Sequence, residues 1–137
     1  MMKNLQQKIY RSQTGSVAVE FALFSPFMFM MLFSIIEIGG AWYQKQMMVS
    51  ASREGARFCS LYDQKSEQEI ETYILNILTQ SGFPNDPEIE ITGADASSGD
   101  LVQVRISCHY RFSVLNAFIP SVSNLLELSA STVMRHE

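Results

Sequence analysis

No residue between Phe21 and Ile36 carries a charge, and the leader before that run, Met1 to Gly15, carries Lys3, Lys8 and Arg11 but no acid. This pairing constrains the chain more than any other feature. The 22 residues from Val17 to Ile38, taken as a helix rising about 1.5 Å per residue, reach roughly 33 Å. That is enough to cross the hydrocarbon core of a bilayer. Positive charge gathered before the span predicts an N-terminus held in the cytoplasm and a body carried across the membrane. Glu20 then stands at the inner rim of the span, where a carboxylate is costly unless it serves a purpose.

The whole-chain averages conceal this division. The formal net charge of the 137 residues is −4, from ten Lys and Arg against fourteen Asp and Glu. All fourteen acids lie after Gly15, with only seven of the bases, so the body by itself carries −7. An exported acidic body lacks the basic face that nucleic-acid binding needs. Cys59 and Cys108 fall beyond the span, where a disulfide can persist. A bridge between them and a pair of buried thiols acting as small apolar groups are both open from the sequence. Gly39-Gly40-Ala41 has the small residues of a signal-peptidase site. Against it, the apolar run exceeds an ordinary signal core of 7–15 residues, Glu37 directly precedes the site, and helical patterning continues through it.

Helical patterning is expected from about Ser16 to Asp63, with Pro26 tolerated inside the span. Gly39-Gly40 offers a bend at the outer interface, where Trp42 and Tyr43 also suit the headgroup region. Beyond the membrane, Met48, Ala51, Gly55, Phe58 and Tyr62 recur at spacings of three and four, an apolar stripe on a helix covering 41–62. A second helix is expected over 66–81. Ser66 and Glu69 form a capping box at its start, Ile70, Tyr73, Ile74, Ile77 and Leu78 form one apolar face, and Gly82 with Pro84 end it. Strands follow near 88–92, 101–112 and 125–135. In the middle one, Val102, Val104, Ile106, Cys108, Tyr110 and Phe112 share one face, and polar residues share the other. Ser113 to Asn124 reads as an apolar connector. The expected architecture is α+β: a leader (1–15), a transmembrane helix (16–40) and a periplasmic domain (41–137) in which the long helix and a second helix pack on a small antiparallel sheet.

Little in the chain suggests catalysis. Cys108 and His109 are adjacent on a strand and so face opposite ways, and His136, next to the C-terminus, is expected to be frayed. Glu67, Glu69 and Glu71 suit the first turn of a helix, where its dipole favours negative charge. No cofactor motif, metal-ligand spacing or small-molecule site is evident, and the chain is not expected to be an enzyme. Glu20 differs from these acids. A cut between Gly15 and Ser16 would create an amino terminus four residues before it, and the carboxylate would suit the amino terminus of a neighbouring subunit.

The segment Gly15-Ser16-Val17-Ala18-Val19-Glu20-Phe21 resembles the processing motif of bacterial type IV-like prepilins, which a prepilin peptidase cuts after the glycine. With Ala22-Leu23, Pro26, Ile36-Glu37-Ile38-Gly39 and Ala51-Ser52-Arg53-Glu54-Gly55-Ala56-Arg57, it resembles more narrowly the TadE-like family, pseudopilins of the tight-adherence (Flp pilus) assembly machinery. Flp-type pilins commonly carry tyrosine after the glutamate; Phe21 keeps the ring and loses the hydroxyl. The resemblance implies a single-pass protein of the bacterial inner membrane, processed at Gly15–Ser16, whose partners are the peptidase, other pseudopilins and the pilus machinery. The alternative is an uncleaved, membrane-anchored periplasmic binding or adhesion module.

Overall fold

The structure, a computed structural model, describes residues 3–61, 66–95, 98–118, 120 and 126–136. In chain order the elements are α1 (Lys3–Ser60), α2 (Glu67–Gln80), β1 (Glu88–Thr92), β2 (Leu101–His109), α3 (Val114–Phe118) and β3 (Glu127–Arg135). Two compact units divide the chain, Met1–Ile36 and Glu37–Glu137. The class is α+β, with a long N-terminal helix, a second helix and a three-stranded antiparallel sheet.

In the first unit α1 presents apolar side chains on every side. Val17, Val19, Phe21, Leu23, Phe24, Phe27, Ile35 and Ile36 are all exposed. A helix apolar all round needs an apolar surrounding, and this one is long and apolar enough to cross a membrane. The helix starts at Lys3, well before the expected Ser16. Lys, Gln and Leu favour helix and no proline or glycine interrupts them before Gly15. Pro26 lies inside α1 and has no amide to give the carbonyl of Ala22. The Ser25 hydroxyl donates to that carbonyl at 3.4 Å instead.

In the second unit, the α1 residues Met48, Ala51, Ser52, Ala56 and Cys59 are buried against Ile70, Ile74 and Leu78 of α2 and the inner face of the sheet. The expected stripe is therefore part of a wider face. Arg53, Glu54 and Arg57 point outward, Phe58 stacks on Tyr73 with ring centroids 4.2 Å apart, and Tyr62 lies outside the described residues. A Cβ at Gly55 would come within 2.6 Å of Ile74 Cδ1 and Cγ1. The glycine lets the two helices approach this closely. In the other direction, α1 continues through Gly39 and Gly40 as helix where the sequence offered a bend. A Cβ on Gly40 would stand 3.1 Å from the Tyr110 hydroxyl.

Ser66 caps α2, its hydroxyl accepting from the Glu69 amide at 3.4 Å. At the other end the Phe83 amide donates to Leu78 O at 3.0 Å, and Gly82 takes a φ of 76°. The sheet order is β1-β2-β3, antiparallel throughout. Val102, Val104, Ile106 and Cys108 of β2 are buried, and Gln103, Arg105 and His109 face outward. β2 ends at His109, short of the expected Phe112. Tyr110 still donates its amide to Leu126 O at 3.0 Å, after which the chain turns into α3. α3 falls inside the stretch Ser113 to Asn124 expected as an apolar connector, of which residues 119 and 121–124 lie outside the described residues.

Candidate functional site

Four residues were singled out at the N-terminal end, and α1 carries them all. Gly15, Ser16, Glu20 and Phe21 are exposed, and a Cβ at Gly15 would meet nothing within 4 Å. One helical turn separates Ser16 from Glu20, so the Ser16 hydroxyl donates to Glu20 Oε1 at 3.2 Å. The helix thus brings the residue after the expected cut to the one acid of the segment. An amino group on Ser16 would lie on the same turn as that carboxylate, where opposite charges interact favourably.

The second carboxylate of the helix is engaged differently. Glu37 Oε1 accepts from the amides of Ser113 and Val114, both at 2.6 Å, and Oε2 accepts from Leu115 at 2.9 Å. Leading amides of a helix have no partner of their own, and here a side chain from α1 supplies one. The Tyr110 hydroxyl donates to the Glu37 carbonyl at 3.2 Å, so the chain on both sides of this corner is fixed to one residue. No local sequence signal announces this, because the amides that Glu37 holds lie 76 to 78 positions away. The side chains of Asn85 and Gln44, bonded at 3.0 Å, and of Ser52 and Thr132, whose hydroxyls lie 2.8 Å apart, make further ties that sequence reasoning missed.

Cys59 and Cys108 are free thiols, both buried; of the two alternatives left open by the sequence, the structure has the unbridged one. Cys108 donates to the sulfur of Met48 at 3.7 Å. Burial pushes the Cys59 thiol up from its ordinary pKa, with the charge of Asp95 adding to the effect. Burial also raises Cys108, and Asn85 pulls the other way. His109 is exposed on the opposite face of the strand from Cys108, so the two form no dyad. His136, expected to be frayed, is instead buried. Its amide donates to Asp100 O and its carbonyl accepts from the Gly99 amide, each at 2.9 Å. These bonds continue the β2–β3 pairing past the end of β3 and hold the residue in place.

Residues 15–57 match the family model of TadE-like proteins. The match begins at the glycine of the expected cut and ends on the outward-facing Arg57. It relates the TadE-like segment to the tight-adherence pilus system, with an N-terminal helix able to span a membrane. No curated protein and no solved structure matches the chain.

Proposed function

We propose that this protein is a membrane-anchored, pseudopilin-like accessory subunit that acts in assembly of a tight-adherence (Flp-type) pilus. In this reading Met1 to Gly15 is a leader removed by a prepilin peptidase, and Ser16 becomes the mature amino terminus. Residues 16–40 anchor the subunit in the bacterial inner membrane with the leader in the cytoplasm. Residues 41–137 form the periplasmic domain that meets other pseudopilins and the pilus machinery. The observation that carries the reading is the TadE-like match, which starts at Gly15 and includes Glu20, one turn beyond Ser16. A cut at Ala41 would instead detach Glu37 from the three amides it holds, which argues against an ordinary signal peptide.

One observation favours the second reading, an uncleaved anchored binding or adhesion module. α1 is helical across the Gly15–Ser16 bond, so the peptidase would have to unwind that turn to reach it. Intact mass of the protein from cells that contain the peptidase separates the two. The assembly reading expects a chain beginning at Ser16, and retention of the leader after a Gly15→Leu substitution. A native product that keeps Met1 would exclude processing and leave the anchored module.

A further inference from the structure

We propose that the corner built around α3 is a membrane foot, seated in the headgroup and upper acyl region of the bilayer that the anchor crosses. It would be a second contact of the protein with lipid, and it rests on the anchored reading that both proposed functions share. Position along α1 carries the inference. The Tyr110 hydroxyl donates to Glu37 O, and Cys108 donates to Met48. A Cβ at Gly55 would stand 3.7 Å from Val104 Cγ1. β2 therefore runs against α1, and the sheet end at Tyr110 lies beside residue 37, where the second unit begins and to which the span is joined. The chain leaves and re-enters the sheet at that end, because the Tyr110 amide bonds to Leu126 O at 3.0 Å. α3 lies at the start of this excursion, with the amides of Ser113, Val114 and Leu115 on the Glu37 carboxylate.

This fixes the depth of the corner. Glu37 precedes Trp42 by five positions, about 7.5 Å along a helix axis. Trp42 and Tyr43 are exposed and suit the headgroup level, so the first turn of α3 stands on the hydrocarbon side of them. The polar layer on each face of a bilayer is only roughly 5–7 Å thick. An element held at this level meets lipid rather than bulk water.

The residues suit that setting. No residue from Phe112 to Leu126 carries a charge. Phe112, Val114 and Leu115 are only half-buried, which leaves apolar surface that the core of the domain does not cover. Arg111, exposed just ahead of them, has the length to keep its charge among the phosphates while its stem lies along apolar surface. Amides near hydrocarbon are costly without a partner, and Glu37 supplies one to each of the three that lead into α3. The tilt of a single span is set by what flanks it, and a foot beside the helix gives that tilt a fixed direction.

The chain has one tryptophan, Trp42, so depth is measurable by fluorescence. The full chain is placed in nanodiscs of phosphatidylethanolamine and phosphatidylglycerol, with and without bromine atoms near the headgroup end of the acyl chains. W42F is combined in turn with A117W, S113W, F29W and L61W. Ala117, Ser113 and Leu61 are exposed, so a larger side chain at these positions leaves the core intact. A117W and S113W are each expected to lose at least as much intensity to bromine as Trp42 of the wild type. F29W, within the span, should be quenched, and L61W, just past the far end of α1, should keep its intensity. If A117W and S113W are as unquenched as L61W while F29W is quenched, the foot is wrong and the anchor stands. An unquenched F29W would overturn the anchored reading and the foot with it.

Discussion

The carboxylate of Glu37 accepts from the amide of Val114 at 2.6 Å, across 77 positions of sequence. With the Ser113 and Leu115 amides it forms a three-bond cap whose acceptor belongs to another element of the fold. α3 has only five residues, too few to be a stable helix by themselves, so its order depends on what holds its first amides.

Glu37→Ala is therefore expected to free the corner at 113–118 before it affects the core. Losing a capping side chain costs about 1 kcal/mol, up to about 2 in tight cases. Hydrogen exchange is the direct measurement: the amides of Ser113, Val114 and Leu115 should lose protection, and those of Val104 and Ile106 should keep theirs. Glu37→Gln, which keeps an acceptor oxygen, should fall between the two. Unchanged exchange at Val114 in the alanine variant would show that the corner is held by other contacts.

This relationship also marks where the sequence stops being legible. The elements whose causes are local could be read from it: the two-residue alternation of Val102 to Cys108, the three-and-four spacing of Ile70 to Leu78, and the Ser66 cap. So could the all-apolar run of α1 and the segment that the TadE-like match covers. What was missed depends on partners far away in the chain. Nothing beside Glu37 announces Ser113, nothing beside Ser52 announces Thr132, and the backbone bonds that hold His136 come from Gly99 and Asp100, far from it in the chain. α1 starts at Lys3, ahead of the expected Ser16; it passes through Gly15, since a lone glycine costs a helix only about 1 kcal/mol.

The thiols give a prediction about chemistry and pH. Both are buried and unbridged, so in the folded protein they should react slowly with a thiol reagent and both should be counted at once after unfolding. A bridged pair would give no free thiol in either state. Burial raises both pKa values, because the fold holds the neutral form and resists the thiolate. The stability this contributes is fully present below the unfolded thiol value, about 8.5, and is lost as pH rises through the higher folded values. Tyr110, raised by burial and by the charge of Glu37, should add a second loss beginning above about 10. Melting temperature is thus expected to be flat on the alkaline side up to about 8.5 and to fall beyond it. The C59A/C108A double variant should fall less steeply over the first part of that range. Equal slopes for the two proteins would remove the thiols as the cause.

Gly55 and Ile74 are expected to be energetically coupled. In an open helix, Gly→Ala would stabilise by up to about 1 kcal/mol. At Gly55 the added methyl would come within 2.6 Å of two carbons of Ile74. Ile74 is itself fully buried among Ile70, Leu78, Val104 and Ile106, so it has little room to move. Overpacking of this kind typically costs about 1–3 kcal/mol, which exceeds the propensity gain, so Gly55→Ala should destabilise. Ile74→Val removes Cδ1, one of the two carbons in the way, and by itself costs about 0.5–1.5 kcal/mol. Combining them should cost less than the sum of the separate effects, because the methyl added at Gly55 occupies space that the valine vacates. A denaturant-unfolding cycle on the four proteins measures this directly, since non-additivity isolates a pairwise interaction. Strict additivity would mean that the two helices do not meet at this point.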